Sequence, residues 1–143
     1  MRKGELMDHE VNITARYAET DQMGIVHHSV YPIWFEVART EFIKTSGITY
    51  TQLEKDGVML PLSELTCKYI YPVHYEDNVT IRVNIEKLSF AKITFGYKVI
   101  LDGRIMSEGT TTHGFVDSKT FRPVSIKKVM PEFYEKLKLT AEK

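Results

Sequence analysis

The chain has 143 residues, 43% of them apolar and 27% charged, a composition that excludes disorder and suits one globular domain. Its 19 Lys and Arg balance 19 Asp and Glu, so no basic block exists to follow a nucleic-acid backbone or an anionic membrane surface. The single cysteine, Cys67, can form no internal disulfide and points to a reducing compartment.

In chain order, Met1–Asp8 carries charges with no apolar run behind them, unlike a signal peptide. No later run approaches the roughly 20 apolar residues of a membrane span, so a cytoplasmic protein is expected. Val11, Ile13, Ala15 and Tyr17 then alternate with Asn12, Thr14 and Arg16, the period of two of a half-buried strand. Ser29 is the expected cap of a helix from about Val30 to Thr45, with Pro32 tolerated in its first turn and Ser46-Gly47 as its stop. At about 100° per residue, Ile33, Trp34, Phe35, Val37, Ala38 and Phe42 cover more than half the circumference of this helix, so something must wrap it.

Thr49 and Gln52 form a capping-box pattern for a short second helix ended by Gly57. Val58 to Tyr75, interrupted by Pro61 and Pro72, reads as a long strand with irregular ends. Val79, Ile81, Val83 and Ile85 alternate with polar residues, and Ile93, Phe95, Tyr97, Val99 and Leu101 repeat the pattern after a turn near Ser89 to Lys92. Asp102-Gly103 suits a tight hairpin leading into a last strand, Arg104 to Val116. Pro131 opens a terminal helix with Phe133 and Leu137 one turn apart and Lys136, Lys138 and Lys143 near its negative end. No repeat, low-complexity tract or linker divides the chain, so one domain over residues 1–143 is expected. Its class is α+β, a curved antiparallel meander wrapped around a central helix.

The segment between the first strand and the apolar helix, Tyr17 to Tyr31, carries the chemistry. Asp21 leaves a strand end, Gly24 allows close backbone approach, and the N–H groups around His28 and Ser29 sit at the positive end of a helix. A carboxylate facing fixed N–H donors suits acyl transfer or hydrolysis, because the carboxylate activates water or attacks while the donors hold the developing oxyanion.

These residues, Tyr17, Thr20-Asp21, Gly24-Ile25-Val26, His28 and Tyr31, continue into Phe35-Glu36, Ala38-Arg39 and Glu41 on the helix. Together they resemble the hotdog-fold acyl-CoA thioesterases of the 4-hydroxybenzoyl-CoA thioesterase and YbgC type. Weaker matches at Tyr69, Pro72, Tyr75, Asp77, Gly109, Thr111, Phe115-Val116-Asp117 and Arg122-Pro123-Val124 extend the resemblance over nearly the whole chain. It implies Asp21 as the catalytic carboxylate, base or nucleophile, the His28 N–H as the group that polarises the thioester carbonyl, and Tyr17 and the His28 side chain as further active-site members. Gly24, Val26, Tyr31 and Glu36 would line the substrate site. It also implies an acyl-CoA substrate, no cofactor and no metal, and a homodimer or homotetramer with the acyl group bound between subunits. His27 and Val30 depart from the family, which often has Tyr and Asn there.

Each residue also has a plainer role. Asp21 suits a turn, His28 a helix-end hydrogen bond, and Tyr17 the core. Glu36 and Glu41 are the helix carboxylates that other hotdog enzymes use, and Glu41 lies among apolar positions where a pairing with Arg39 of a neighbour would hold it. The five histidines show no metal-binding spacing. Met23, Trp34, Phe35 and Met59 are expected near an acyl pocket. Lys68, Lys92, Arg122, Lys127 and Lys128 are candidates for the coenzyme phosphates, with solvated surface charge the plainer reading. An acyl-carrier-protein thioesterase, a dehydratase and a non-catalytic acyl-binding module are the rivals.

Overall fold

The structure is a computed structural model describing residues 8–141; the Met1–Met7 stretch and the expected helix-end cation Lys143 lie outside these. The strands are β1 (Asp8–Thr14), β2 (Val58–Met59), β3 (Leu62–Tyr69), β4 (Asn78–Leu88), β5 (Lys92–Leu101), β6 (Arg104–Gly114) and β7 (Val116–Asp117). The helices are α1 (Tyr31–Lys44), α2 (Tyr50–Lys55), α3 (Ile126–Val129) and α4 (Pro131–Ala141).

Five strands form one antiparallel sheet in the order β1-β4-β5-β6-β3, and β2 and β7 pair separately. Only β4, β5 and β6 form the expected meander; β1 and β3 are added at the two edges. The alternation read in β4 and β5 is the burial pattern found, with Val79, Ile81, Val83, Ile85, Ile93, Phe95, Tyr97 and Val99 all buried. Asp102 and Gly103 take the positive φ of the tight turn, 50° and 79°. Register shifts at Leu62/Glu64, Ile85/Lys87 and Val99/Ile100 are bulges, which bend strands and let the sheet curve.

The sheet wraps α1, which buries Tyr31, Trp34, Phe35, Ala38, Phe42 and Ile43. The Phe35 ring lies flat on Tyr97, centroids 4.4 Å apart and planes 7° from parallel. Gly109 makes this possible, since a Cβ there would collide with Thr66 O and the Phe35 ring. Burying each such aromatic side chain is worth roughly 1.5–3 kcal/mol. The wrapping is incomplete, because Ile33 and Val37, one turn apart on α1, remain 54% and 43% exposed.

Four boundaries differ from the reading above. β1 ends at Thr14, and Tyr17 opens a 3-10 turn, Tyr17–Glu19, with its ring 76% exposed, so it is no core residue. The helix start is capped by His27 instead of Ser29: the His27 Nδ1 accepts the Ser29 N–H at 3.1 Å, and a 3-10 turn, His28–Val30, leads into α1. The long stretch from Val58 divides at Pro61, which has no N–H for a ladder, and strand pairing stops at Tyr69. The last strand breaks after Gly114, and its continuation β7 leaves the main sheet to pair with β2. The short α3 was not read from the sequence, whereas α2 starts as expected, Thr49 Oγ1 accepting the Gln52 N–H at 3.1 Å.

Within one chain Arg39 is turned away from Glu41, which pairs with Lys44 at 2.9 Å. Its guanidinium turns inward and donates to the Tyr50 and Tyr97 hydroxyls, both at 3.1 Å. An arginine only donates, so the remaining directions follow. The Tyr97 hydroxyl donates to Thr111 Oγ1 (2.5 Å), Thr111 donates to His113 Nε2 (2.9 Å), and His113 Nδ1–H donates to Leu60 O (3.1 Å). Among the described residues no buried side-chain nitrogen or oxygen lacks a partner.

Candidate active site

Asp21 sits at the tip of a small hairpin between β1 and α1. Its N–H donates to Ile25 O at 2.9 Å, its carbonyl accepts the Gly24 N–H at 3.0 Å, and Thr20 bridges Val26. Gly24 turns the tip with φ +80°, a backbone value that costs an L side chain strain. One carboxylate oxygen, Oδ1, accepts the Met23 N–H at 2.8 Å. That is the turn role anticipated for an aspartate, and it also aims the group, since Oδ2 keeps no partner among the described residues.

The other arm of the hairpin ends at the helix start. Val26 N–H is taken by Val73 O, His27 N–H by Glu19 O and Val30 N–H by His27 O, while Ser29 N–H is taken by the His27 ring. His28 N–H alone in this run has no acceptor among the described residues. The carbonyl of His28 accepts the Tyr69 hydroxyl at 2.8 Å. A free N–H at the head of a 14-residue helix is where a developing negative charge is favoured.

Asp21 and His28 line one cleft of about 310 Å³, walled by Met23, Ile25, Val26, Tyr31, Tyr69, Ile70, Tyr71 and Pro72. The Tyr31 and Tyr69 rings meet edge to face, centroids 5.1 Å apart. Burial pushes the Tyr31 phenol up to about 12, with Cys67 adding to the rise; burial and the neighbouring Cys67 do the same for Tyr69. Both phenols therefore stay protonated and serve as donors or walls, not as bases.

A second, more open depression beside Asp21 is shared with Tyr17, Gly24 and Tyr75, and the Tyr17 and Tyr75 rings pack edge to face at 5.6 Å. Asp21, His28, Val26 and Tyr31 thus come together in the cleft, Tyr17 and Gly24 beside it, and Glu36 stands exposed on α1, lining neither. Of the residues expected near an acyl pocket only Met23 lines it; Trp34 and Phe35 are core, and Met59 lies on β2. A separate cleft between the C-terminal end of α1 and α4, lined by Gly47, Met130, Phe133 and Lys136 among others, lies at the opposite end of that helix.

Glu19, which sequence reasoning passed over, is 8% exposed and bonds the Trp34 indole. Its proximity to Asp21 was the only available signal. Among the described residues no group of three or more His, Cys, Asp or Glu side chains is placed to hold a metal ion, and no helix is long and apolar enough to cross a membrane.

A curved antiparallel sheet around one long helix, with the site at the head of that helix, is the hotdog architecture. The family model of the thioesterase-like superfamily matches residues 15–137, and the chain belongs to that superfamily. The candidate acyl-CoA thioesterase YneP of Bacillus subtilis is 38% identical over 130 residues, 88% of this chain and 94% of that protein. The chloroplastic acyl-acyl carrier protein thioesterase ATL3 of Arabidopsis thaliana is 31% identical over 126 residues, covering 87% of this chain and 66% of that protein. Among solved structures, the DHNA-CoA thioesterase of Staphylococcus aureus superposes with a TM-score of 0.87 at 31% identity, over 92% of this chain and 89% of that one.

Proposed function

We propose that the protein is an acyl-CoA thioesterase in which Asp21 is the catalytic carboxylate and the His28 N–H is the oxyanion donor. The carrying observation is that Asp21 and His28, whose Oδ2 and main-chain N–H have no partners among the described residues, line one cleft with apolar and aromatic walls. As general base, Asp21 takes a proton from water while the oxygen attacks the thioester carbon, and the carbonyl electron pair moves onto the oxygen held by His28 N–H. Collapse breaks the C–S bond, the coenzyme leaves as thiolate and takes up a proton, and the free acid departs. As nucleophile, Asp21 would attack the thioester carbon, the C–S bond would break with departure of the coenzyme thiolate, and water would then cleave the resulting acyl anhydride to free acid and the Asp21 carboxylate.

The working unit is a homodimer or a homotetramer. Supporting this are the exposed Ile33 and Val37 on α1 and the edge strand β3, where Leu65 and Tyr69 are exposed on the side facing α1. An apolar sheet edge beside an apolar helix stripe is a pairing surface, and a second copy there would finish wrapping α1 and close the cleft. A cytoplasmic location accords with the single cysteine.

Release of free thiol from a panel of short, long, branched and aromatic acyl-CoA esters, followed with a thiol-reactive dye, tests the activity. The similarity to ATL3 makes acyl-carrier-protein esters the second panel. Turnover of neither would leave an acyl-binding module.

A further inference from the structure

Glu19 occupies a position that the hydrolytic reading leaves unused. It is 8% exposed, and a carboxylate is costly to bury unless its oxygens are satisfied. Here three donors serve two oxygens. Oε1 accepts the Arg16 main-chain N–H at 2.8 Å, and Oε2 accepts the Trp34 Nε1–H at 3.1 Å and the Arg16 guanidinium at 3.2 Å. Its main-chain oxygen accepts the His27 N–H at 2.9 Å. One residue therefore joins the exit of β1, the base of the Asp21 hairpin and the buried face of α1.

From these bonds we propose that Glu19 is a positioning residue for the hydrolysis, holding the Asp21 arm and the His28 arm of the hairpin at a fixed setting against α1. The proposal rests on the roles given above to Asp21 and His28. Asp21 lies two residues beyond Glu19 on one arm, and His28 follows His27 on the other, so any shift at Glu19 reaches both reacting groups. Trp34, 1% exposed, cannot follow such a shift, because the core holds its ring. Glu19 lines neither the cleft nor the depression beside it, so it touches no substrate and acts through the backbone it fastens. Burial alone would raise its carboxyl, but the hydrogen bonds from the Arg16 N–H, the Arg16 guanidinium and Trp34 outweigh burial and hold it below the ordinary value, so it is ionised where the enzyme works.

The test is Glu19→Gln beside Asp21→Asn and the wild type. A carboxamide has one acceptor oxygen and one NH2, so either the Arg16 N–H or the Trp34 N–H then faces another donor. Turnover of Glu19→Gln should fall about 10- to 100-fold with KM within about threefold, as a displaced reacting group requires. Trp34 is the only tryptophan, so its emission should change in the same variant. Trp34→Phe, which removes the indole donor and keeps an aromatic ring, should lower kcat in the same direction by a smaller factor, and it carries the test where Glu19→Gln does not fold. Turnover within about twofold of wild type per folded molecule, with only a lowered melting temperature, overturns the proposal and leaves Glu19 a stabilising residue. A wild type that hydrolyses no thioester overturns the functional reading and the positioning role together. An active wild type, an inactive Asp21→Asn and an unimpaired Glu19→Gln overturn the positioning role alone.

Discussion

The Tyr69 hydroxyl, at the end of β3, donates to the main-chain oxygen of His28 at 2.8 Å, so the sheet edge holds the first peptide of the helix start. The peptide just before it carries the His28 N–H, which has no acceptor among the described residues. A neutral hydrogen bond of this kind contributes about 0.5–1.5 kcal/mol. Tyr69→Phe should therefore lower turnover by about 2- to 10-fold while the protein stays folded. With burial pushing the phenol up to about 12, the bond persists in mild alkali, and the wild-type kcat should show no loss from this source between about pH 8 and about pH 10. Steady-state kinetics of both proteins across that range check this.

A second expectation concerns acid stability. His113 is held neutral by the chain of bonds from Arg39 through Tyr97 and Thr111, and burial, then the Arg39 charge, push it from 6.5 down to about 4. Because the unfolded chain binds this proton more readily, the stabilisation is complete above about pH 6.5 and is lost as pH falls toward about 4. Thermal melts from neutral pH downward should show the decline, and His113→Gln should flatten it through that window even where its neutral-pH melting temperature is lower. An unchanged slope would assign the acid sensitivity to other groups.

Much of this was legible because periodicity reports burial. The alternation in β4 and β5 and the apolar density of α1 led directly to a sheet around a helix, and Asp102-Gly103 marked its own turn. The Asp21 hairpin was legible through local chemistry, an aspartate, a glycine and a helix start in close succession. What was hidden depends on contacts distant in sequence. Tyr17 continues the strand alternation, yet the chain turns away once Ala15 N–H binds Asp77 O. Ser29 looks like a better cap than His27 by propensity, but the imidazole accepts the Ser29 N–H from two positions earlier. Glu19 and Arg39 look like surface charges until tertiary structure supplies Trp34 to the one and two tyrosines to the other.

The third expectation is assembly. Ile33 and Val37 on α1 and Leu65 on the β3 edge are exposed apolar groups in the single chain, a liability that a second copy would remove. The protein should run as a dimer or tetramer at micromolar concentration by light scattering. Val37→Glu with Leu65→Glu should shift it to monomer and reduce turnover with it, since charges buried at an interface without partners are strongly unfavourable. A fully active monomer would separate the cleft from the interface.

The fourth expectation is the decisive one for Asp21. Its Oδ1 is occupied by the Met23 N–H, so the carboxylate has both a turn role and an oxygen with no partner among the described residues, and the two roles separate on substitution. Asn keeps the Oδ1 acceptor and so keeps the turn, but it neither takes a proton from water nor attacks a carbonyl. Asp21→Asn should fold as wild type and lose about 10²–10⁴-fold in turnover, with apparent affinity little changed where chemistry is slow relative to release. Asp21→Glu should also be poor, because one added methylene displaces the carboxylate by about 1 Å, worth on the order of 10²-fold in a positioned site. Glu36→Gln is the control: Glu36 is exposed on α1 and lines no part of the cleft, so within one chain it has no reach to the reacting carbon. Steady-state kinetics of the three variants, each shown to be folded, decide between the hairpin and the helix carboxylate. Near-normal turnover for Asp21→Asn with collapse of Glu36→Gln would transfer the catalytic role to the helix and require that Glu36 enter the cleft of a neighbouring copy.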